Sequence, residues 1–480
     1  MTADTAPDFD VLVLGGGSAG IAGASIAGIF GRRAALVEPQ PKVGGAGLIS
    51  GTVPSKTLRE TAVALAGMRA RTLLGVELSL RREATIAELT SAEQKVSAAE
   101  CRRAEALLTR LAVETIRGTA SFVDPHTVNI VSPDAPDRQV RANVILIATG
   151  SSPVRPPEFQ FEDDRVHDSD ELLHLQALPK RLVVVGAGVI GSEYACTFSV
   201  LGCEVHVVDG RGALMPFLDG DIARALLASM TGHGIVFHWN ETVTRCDVSD
   251  PEEVVLTLAS GTTIECDGVL VCAGRASNTA GLNLAAAGLS PGPRGAIPVG
   301  SHFQTSVPHI YAAGDVSGPP ALASTGMEEG RIAICHALGV TAKADMSPLL
   351  PTGIYTIPEA AMVGATEESL HAAGVSFVAG RARYRASPRG QLIGDDTGML
   401  KLLFRSGDLR LLGVHVVGEQ ATELVHIGMT AMLAEAGADL FNRACFNFPT
   451  LGELYKYAAY DAILKVQGLA GAAAVAQDSD

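Results

Sequence analysis

Two stretches of the chain carry the same pattern of apolar, small and acidic positions, about 170 residues apart. In the first, the apolar run Val11 to Leu14 leads into Gly15-Gly16-Gly17-Ser18-Ala19-Gly20, then a run of small residues, then Ala34 to Val37 closing on Glu38. In the second, Leu182 to Val185 leads into Gly186-Ala187-Gly188-Val189-Ile190-Gly191, a segment through Leu201, and Val205 to Val208 closing on Asp209. A short unbroken apolar run bounded by glycine predicts a buried parallel strand, and the small-residue segment after it predicts a helix packed on that strand. Val144-Ile145-Leu146-Ile147-Ala148-Thr149-Gly150 and Ile310-Tyr311-Ala312-Ala313-Gly314-Asp315 each read as a further strand and a glycine turn. From about residue 351 the pattern changes. Alternating positions in Met399 to Phe404 and Leu411 to Val417 predict antiparallel sheet, followed by helices rich in Ala and Leu.

The three glycines of each copy have separate tasks: a tight turn, close backbone approach to a pyrophosphate, and close helix–strand packing. The helix N-terminus then faces the anion. An acid roughly 20 residues on, at the end of the second strand, can accept ribose hydroxyls. The repeat therefore predicts two dinucleotide sites, with Glu38 and Asp209 as their ribose acceptors. Ala148, Thr149, Gly150, Gly314 and Asp315 are candidate cofactor contacts on the downstream turns. Asp209 opposes a 2′-phosphate and favours NAD(H), whereas Arg211 would bind that phosphate if it turned inward instead of standing solvated in its loop.

Composition narrows the partners. At 480 residues and 47% hydrophobic, the chain has material for two or three cores. A net charge of −15 argues against nucleic acid. The start, MTADTAPDFD, lacks the basic residues and apolar run of a secretory signal, so the cytoplasm is expected. VLVLGGGSAGIAGASIAGIF approaches bilayer length, but its spaced glycines fit strand, turn and helix, and no membrane span is expected. The eight cysteines show no CxxC or CxxxxC spacing, so neither metal nor dithiol chemistry is expected. Cys196, Cys203, Cys266 and Cys272 read as core, and His302, His415 and His426 as isolated.

Further strings lie in order between and beyond the two copies: Gly44-Gly45, GTVPSKTLRE at 51–60, GTASFVDPHTV at 118–128, HDSDELL at 167–173, AGRASNT at 273–279, YAAGDVSG at 311–318, YTIPEAAMVG at 355–364 and FPTLGE at 448–453. With these the chain resembles the FAD-dependent pyridine nucleotide-disulfide oxidoreductases from about residue 8 to 466. The resemblance implies an α/β protein with two Rossmann-like dinucleotide-binding domains and a C-terminal α+β dimerisation domain. Its boundaries would be FAD domain 1–155, NAD(P) domain 156–274, FAD-domain return 275–350, dimerisation domain 351–466 and a flexible tail 467–480. It also implies a homodimer.

By the same resemblance, Gly15, Gly17, Ser18, Ala19 and Gly20 cradle the FAD pyrophosphate, Glu38 holds its ribose, Ala120 meets the adenine and Asp315 lies near the ribitol. Gly45, Thr52, Ala148, Thr149, Gly150, Arg275, Gly314, Leu322 and Ala323 complete the FAD contacts. Gly186, Gly188, Val189, Ile190, Gly191, Asp209 and Gly274 serve NAD(H) or NADP(H). Lys56 and Glu193 look like the ion pair beside the flavin N5, and both also count as cofactor contacts.

Two departures bear on chemistry. The disulfide reductases of the family carry CxxxxC, and those positions here are Gly47 and Thr52, neither able to form a thiolate. Their C-terminal HxHPTxxE is here Phe446-Asn447-Phe448-Pro449-Thr450 with Glu453 kept, so no imidazole stands there. GTVPSKTLRE and FNFPTLGE look most like the soluble pyridine nucleotide transhydrogenase branch, which keeps the first cysteine that Gly47 replaces. Three functions stay open: hydride exchange between NAD(P)H and NAD(P)+, reduction of a quinone or other small molecule over the face that Gly47 would open, and non-catalytic flavin binding.

Overall fold

The two glycine turns each open a doubly wound sheet. The computed structural model describes residues 6–65, 86–175 and 177–469. Phe9–Leu14 is the central strand of the first sheet, with Leu12 and Val13 fully buried. It pairs in parallel with Ala34–Glu38 on one side and Arg138–Ile147 on the other. Glu114–Arg117 extends one edge, and Ile310–Ala312, returning from far along the chain, extends the other. The N-terminal half of Arg138–Ile147 leaves this sheet to pair antiparallel with Thr127–Val131, which pairs in turn with Thr119–Asp124.

The second sheet repeats the arrangement. Arg181–Val185 lies between Glu204–Asp209 and Gly268–Val271, with Val236–Trp239 and Val166–Asp168 at the edges, all parallel. The chain passes between the two units twice, as Ser151–Pro153 and Arg275–Ser277, and the passes pair as an antiparallel ribbon.

The third unit is a five-stranded antiparallel sheet in the order Thr352–Ile354, Ala360–Gly364, Leu411–Val417, Met399–Arg405, Phe377–Arg383. The helices Ala421–Leu433 and Leu454–Val466 cover it. Its edge also enters the core of the second unit, where Ile354, Ile357, Ala360, Met399 and Val417 join Leu214, Leu218 and Ile222.

A cluster of buried charges bolts that junction. Lys401, 1% exposed, donates to Asp219 at 2.6 Å and to Asp221 and Glu367 at 2.8 Å. Asp219 also caps the helix Gly220–Gly232. His415, next to it in the sheet, is fully buried and bonds the Ala365 carbonyl through Nε2 at 2.8 Å. The expected tail lies outside the described residues from 470 on. No helix among the described residues is long and apolar enough to cross a membrane.

Candidate functional site

The glycine geometry of the two turns is nearly the same. Gly15 and Gly186 sit at φ +106° and +109°, a region that favours glycine, and each abuts a carbonyl of the neighbouring strand's turn, Ala148 or Cys272. A Cβ on Gly20 would lie 1.9 Å from the Gly15 oxygen, and one on Gly191 would lie 2.0 Å from the Gly186 oxygen. Each helix N-terminus is therefore pressed onto its strand. The helices Ser18–Ile29 and Val189–Val200 begin after extended Gly17 and Gly188 with no side-chain cap, which leaves their first N–H groups free for an anion.

The first turn opens into a cavity of about 720 Å³, large enough for a dinucleotide. Gly15, Gly17, Ser18, Ala19, Glu38, Gly45, Thr52, Ala120, Ala148, Thr149, Gly150, Arg275, Gly314, Asp315, Leu322 and Ala323 all line it. The residues fit FAD: the glycine turn suits a pyrophosphate, the buried acid Glu38 can accept ribose hydroxyls, and small residues with a few polar ones line the rest. Glu38 receives Gly16 N–H at 2.7 Å and Gln40 N–H at 2.9 Å. Burial raises its carboxyl above the ordinary value, and those two bonds offset only part of the rise.

Asp315 is held from the side by Ser151 Oγ at 2.6 Å, and Arg275 donates to that same hydroxyl at 2.8 Å while pairing with Asp170 at 2.9 Å. Arg275 thus lines the cavity itself and ties Ser151 in its wall to Asp170, just beyond the strand Val166–Asp168. Glu329 was not singled out from the sequence; its buried carboxylate accepts Gly314 N–H at 2.6 Å and fixes that turn.

Gly186, Gly188, Val189, Ile190, Gly191 and Asp209 gather at the second turn, apart from that cavity, whereas Gly274, two residues beyond the Cys272 that abuts Gly186, accepts Val154 N–H at 2.9 Å. Asp209 accepts Ala187 N–H at 2.6 Å, as Glu38 does from Gly16. Arg211 does turn inward, onto Asp209, with Nε at 2.9 Å from Oδ1 and a terminal nitrogen at 2.7 Å from Oδ2.

Lys56 and Glu193 meet at 2.6 Å although 137 residues separate them. Lys56 stands one turn beyond Thr52 on the helix Thr52–Leu65, and Glu193 one turn into Val189–Val200. The other oxygen of Glu193 accepts Tyr355 N–H at 2.9 Å, and the Lys56 ammonium lies 5.1 Å from the Tyr355 ring centre. Arg59, buried on the same helix, donates to the Thr356 carbonyl at 3.1 Å. The segment YTIPEAAMVG therefore braces the pair, a role its residue types did not announce.

No cysteine lines the cavity. Burial pushes Cys203 up to about 11 and Cys196, Cys266 and Cys272 up to about 12, so these thiols stay protonated near neutrality. A Cβ on Gly47 would fall 2.5 Å from Ser18 Oγ. The room expected over Gly47 is thus partly taken by the serine. His302 is not isolated either: its ring stacks on His336 at 4.4 Å.

Gly191→Ala is expected to slow reduction of bound flavin by NADH or NADPH on the order of a hundredfold, because the helix must leave the strand and misplace the dinucleotide. FAD should stay bound, since the substitution leaves the first glycine turn and its cavity untouched. Anaerobic stopped-flow bleaching of the flavin absorbance reads both.

The sequence profile of the pyridine nucleotide-disulphide oxidoreductases matches residues 9–330, and that of their dimerisation domain matches residues 350–459. A protein named soluble pyridine nucleotide transhydrogenase from Mycobacterium tuberculosis is 42% identical over 463 residues, covering 96% of this chain and 98% of the relative. One of the same name from Pseudomonas putida is 39% identical over 460 residues, covering 95% and 98%. Among solved structures, LpdA from Mycobacterium tuberculosis superposes with TM-score 0.87 at 27% identity, covering 94% of this chain and 98% of that one. The flavoprotein disulfide reductase RclA from Escherichia coli gives 0.85 at 24% identity, a likeness of fold, covering 94% and 99%.

Proposed function

The chain belongs to the pyridine nucleotide-disulphide oxidoreductase family, and we propose that within it this FAD-dependent NAD(P)H oxidoreductase exchanges hydride between two nicotinamide dinucleotides, without disulfide chemistry. The observation that carries the proposal is the Lys56–Glu193 pair, 2.6 Å apart: Lys56 stands on the helix that begins at Thr52, in the wall of a cavity with no thiol, and Glu193 on the helix behind the second glycine turn. The relatives' name supports the same activity.

The flavin ring, when bound, supplies the two-electron chemistry at N5, and the protein supplies orientation and charge. Gly15, Gly17 and Gly20, with the helix behind them, would hold the FAD pyrophosphate, Glu38 its ribose, Ala120 its adenine and Asp315 its ribitol. Gly186, Gly188 and Gly191 would hold the nicotinamide dinucleotide in the same manner. Lys56 would place a cation near the ring where negative charge develops during reduction, and Glu193, itself held by Tyr355 N–H, would keep that cation aimed. The unit from Thr352 onward would join two chains as a homodimer.

The test is anaerobic transfer from NADPH to thio-NAD+ by the FAD-loaded protein, with an FAD-free control. Turnover on the order of 1 to 10³ per second is expected. A flavin that NADH or NADPH bleaches but that forms no thio-NADH would overturn the proposal and direct the search to another acceptor.

A further inference from the structure

The two repeats supply an internal comparison at their ribose acids. Glu38 accepts two hydrogen bonds from its surroundings, Gly16 N–H and Gln40 N–H, one on each oxygen. A carboxylate has about four acceptor positions, so the FAD-side acid keeps two for a ribose. Asp209 has none to spare. Its Oδ2 receives Ala187 N–H at 2.6 Å and an Arg211 terminal nitrogen at 2.7 Å, and its Oδ1 receives Arg211 N–H at 2.8 Å and Nε at 2.9 Å.

Arg211 stands two residues after its acid, the position Gln40 holds in the first copy. There Gln40 uses only its backbone, whereas Arg211 folds its guanidinium onto the acid as well. The Asp209 carboxylate is 6% exposed, but the Arg211 side chain is about half exposed, at 49%. Glycines flank Arg211 on both sides, so its side chain has no bulky neighbour in the loop. The fork can therefore leave the acid toward solvent without repacking a core.

We propose that Asp209 and Arg211 form a self-capped pair that lets one site take dinucleotides with and without a 2′-phosphate. With NAD(H), the ribose 2′- and 3′-hydroxyls replace the two guanidinium bonds on Asp209, and Arg211 swings into water. With NADP(H), Arg211 turns its fork to the 2′-phosphate, whose dianion the bare acid would repel. With NAD(H) the two ribose hydroxyls restore both lost bonds; with NADP(H) the 3′-hydroxyl restores one, and the guanidinium keeps its Nε on Asp209 while its terminal N–H groups face the phosphate, so neither nucleotide leaves the buried acid short of donors. The pair deepens the transhydrogenase reading and rests on it only for the relevance of both nucleotides.

The test reads binding, not turnover: calorimetric titration of the oxidised, FAD-loaded protein with NAD+ and, separately, with NADP+. The wild-type protein should bind both with affinities within about tenfold of each other. Arg211→Gln should weaken NADP+ by about tenfold to a hundredfold and leave NAD+ unchanged or slightly tighter. Asp209→Asn should weaken NAD+ by about tenfold and spare NADP+. Retained flavin and an unchanged melting midpoint check folding, and if Asp209→Asn fails that check, Arg211→Gln decides alone. A wild-type protein that binds one nucleotide only overturns the inference, as does an Arg211→Gln protein that loses both equally or neither. Dual binding without transfer to thio-NAD+ would sink the transhydrogenase and leave the pair standing; transfer that Arg211→Gln leaves selective for neither nucleotide would do the reverse.

Discussion

Lys56→Met should slow reduction of the bound flavin by NAD(P)H by about a hundredfold to a thousandfold, the range seen when a preorganised charge-stabilising group is removed. The ammonium is a quarter exposed, but it is not a free surface lysine: Glu193 holds it at 2.6 Å and the Tyr355 ring lies beneath it. Methionine keeps the length of the side chain and removes the charge, so FAD affinity should change little. Glu193→Gln keeps an acceptor for Tyr355 N–H and loses only the partner charge, and a smaller loss is expected. Stopped-flow bleaching under anaerobic conditions measures both rates. A Lys56→Met protein within about threefold of wild type would show that the pair is structural and carries no part of the hydride step.

Lys401→Met should destabilise the protein by about 3 to 5 kcal/mol, the usual cost of leaving a buried ionic cluster without one partner. Removing the ammonium leaves Asp219, fully buried, and Asp221 and Glu367 without their shared cation. Arg381 still reaches Asp221 at 2.6 Å and Glu367 at 2.9 Å, which limits the loss. Because the cluster joins the second unit to the third, the early phase of a urea or thermal transition should shift most, and a single two-state fit should fail.

Acid should mimic the mutation. Burial alone would raise the Asp219 and Asp221 carboxyls, but bonds from Lys401, joined by Arg381 at Asp221, hold both below their ordinary values. Their stabilisation is present above the ordinary carboxyl value of 3.8 and is lost as pH falls through the lower folded values. A Lys401→Met protein should show a shallower loss over that range. Equal acid sensitivity in the two proteins would place the cluster outside the stability balance.

Lys401 also shows where sequence reading stops. In Met399 to Phe404 a lysine among alternating apolar residues reads as the solvent side of a strand, yet it is 1% exposed. Its acceptors Asp219 and Asp221 lie 182 and 180 residues away. No local pattern encodes that pairing. Tyr355 is similar: the string around it was legible as a motif, but its grip on Glu193 spans 162 residues and uses a backbone N–H, which any residue type supplies. Gly47 was legible as the loss of a cysteine, but only packing against Ser18 reveals how little space the loss leaves.

What the sequence determined by itself is the strand–turn–helix unit, its repetition, and the acid that ends each second strand. Those features depend on side-chain period, on glycine where φ is positive or the helix must touch the strand, and on residues within about 20 positions of one another. The described strands Phe9–Leu14 and Arg181–Val185 extend the expected runs by only one or two residues. The tertiary structure alone decided which acid keeps free acceptors, which lysine is buried, and that Tyr355 braces the Lys56–Glu193 pair that the resemblance already implied. Those outcomes depend on burial and on partners brought together from distant segments, where desolvation makes an unpaired charge costly and a paired one specific.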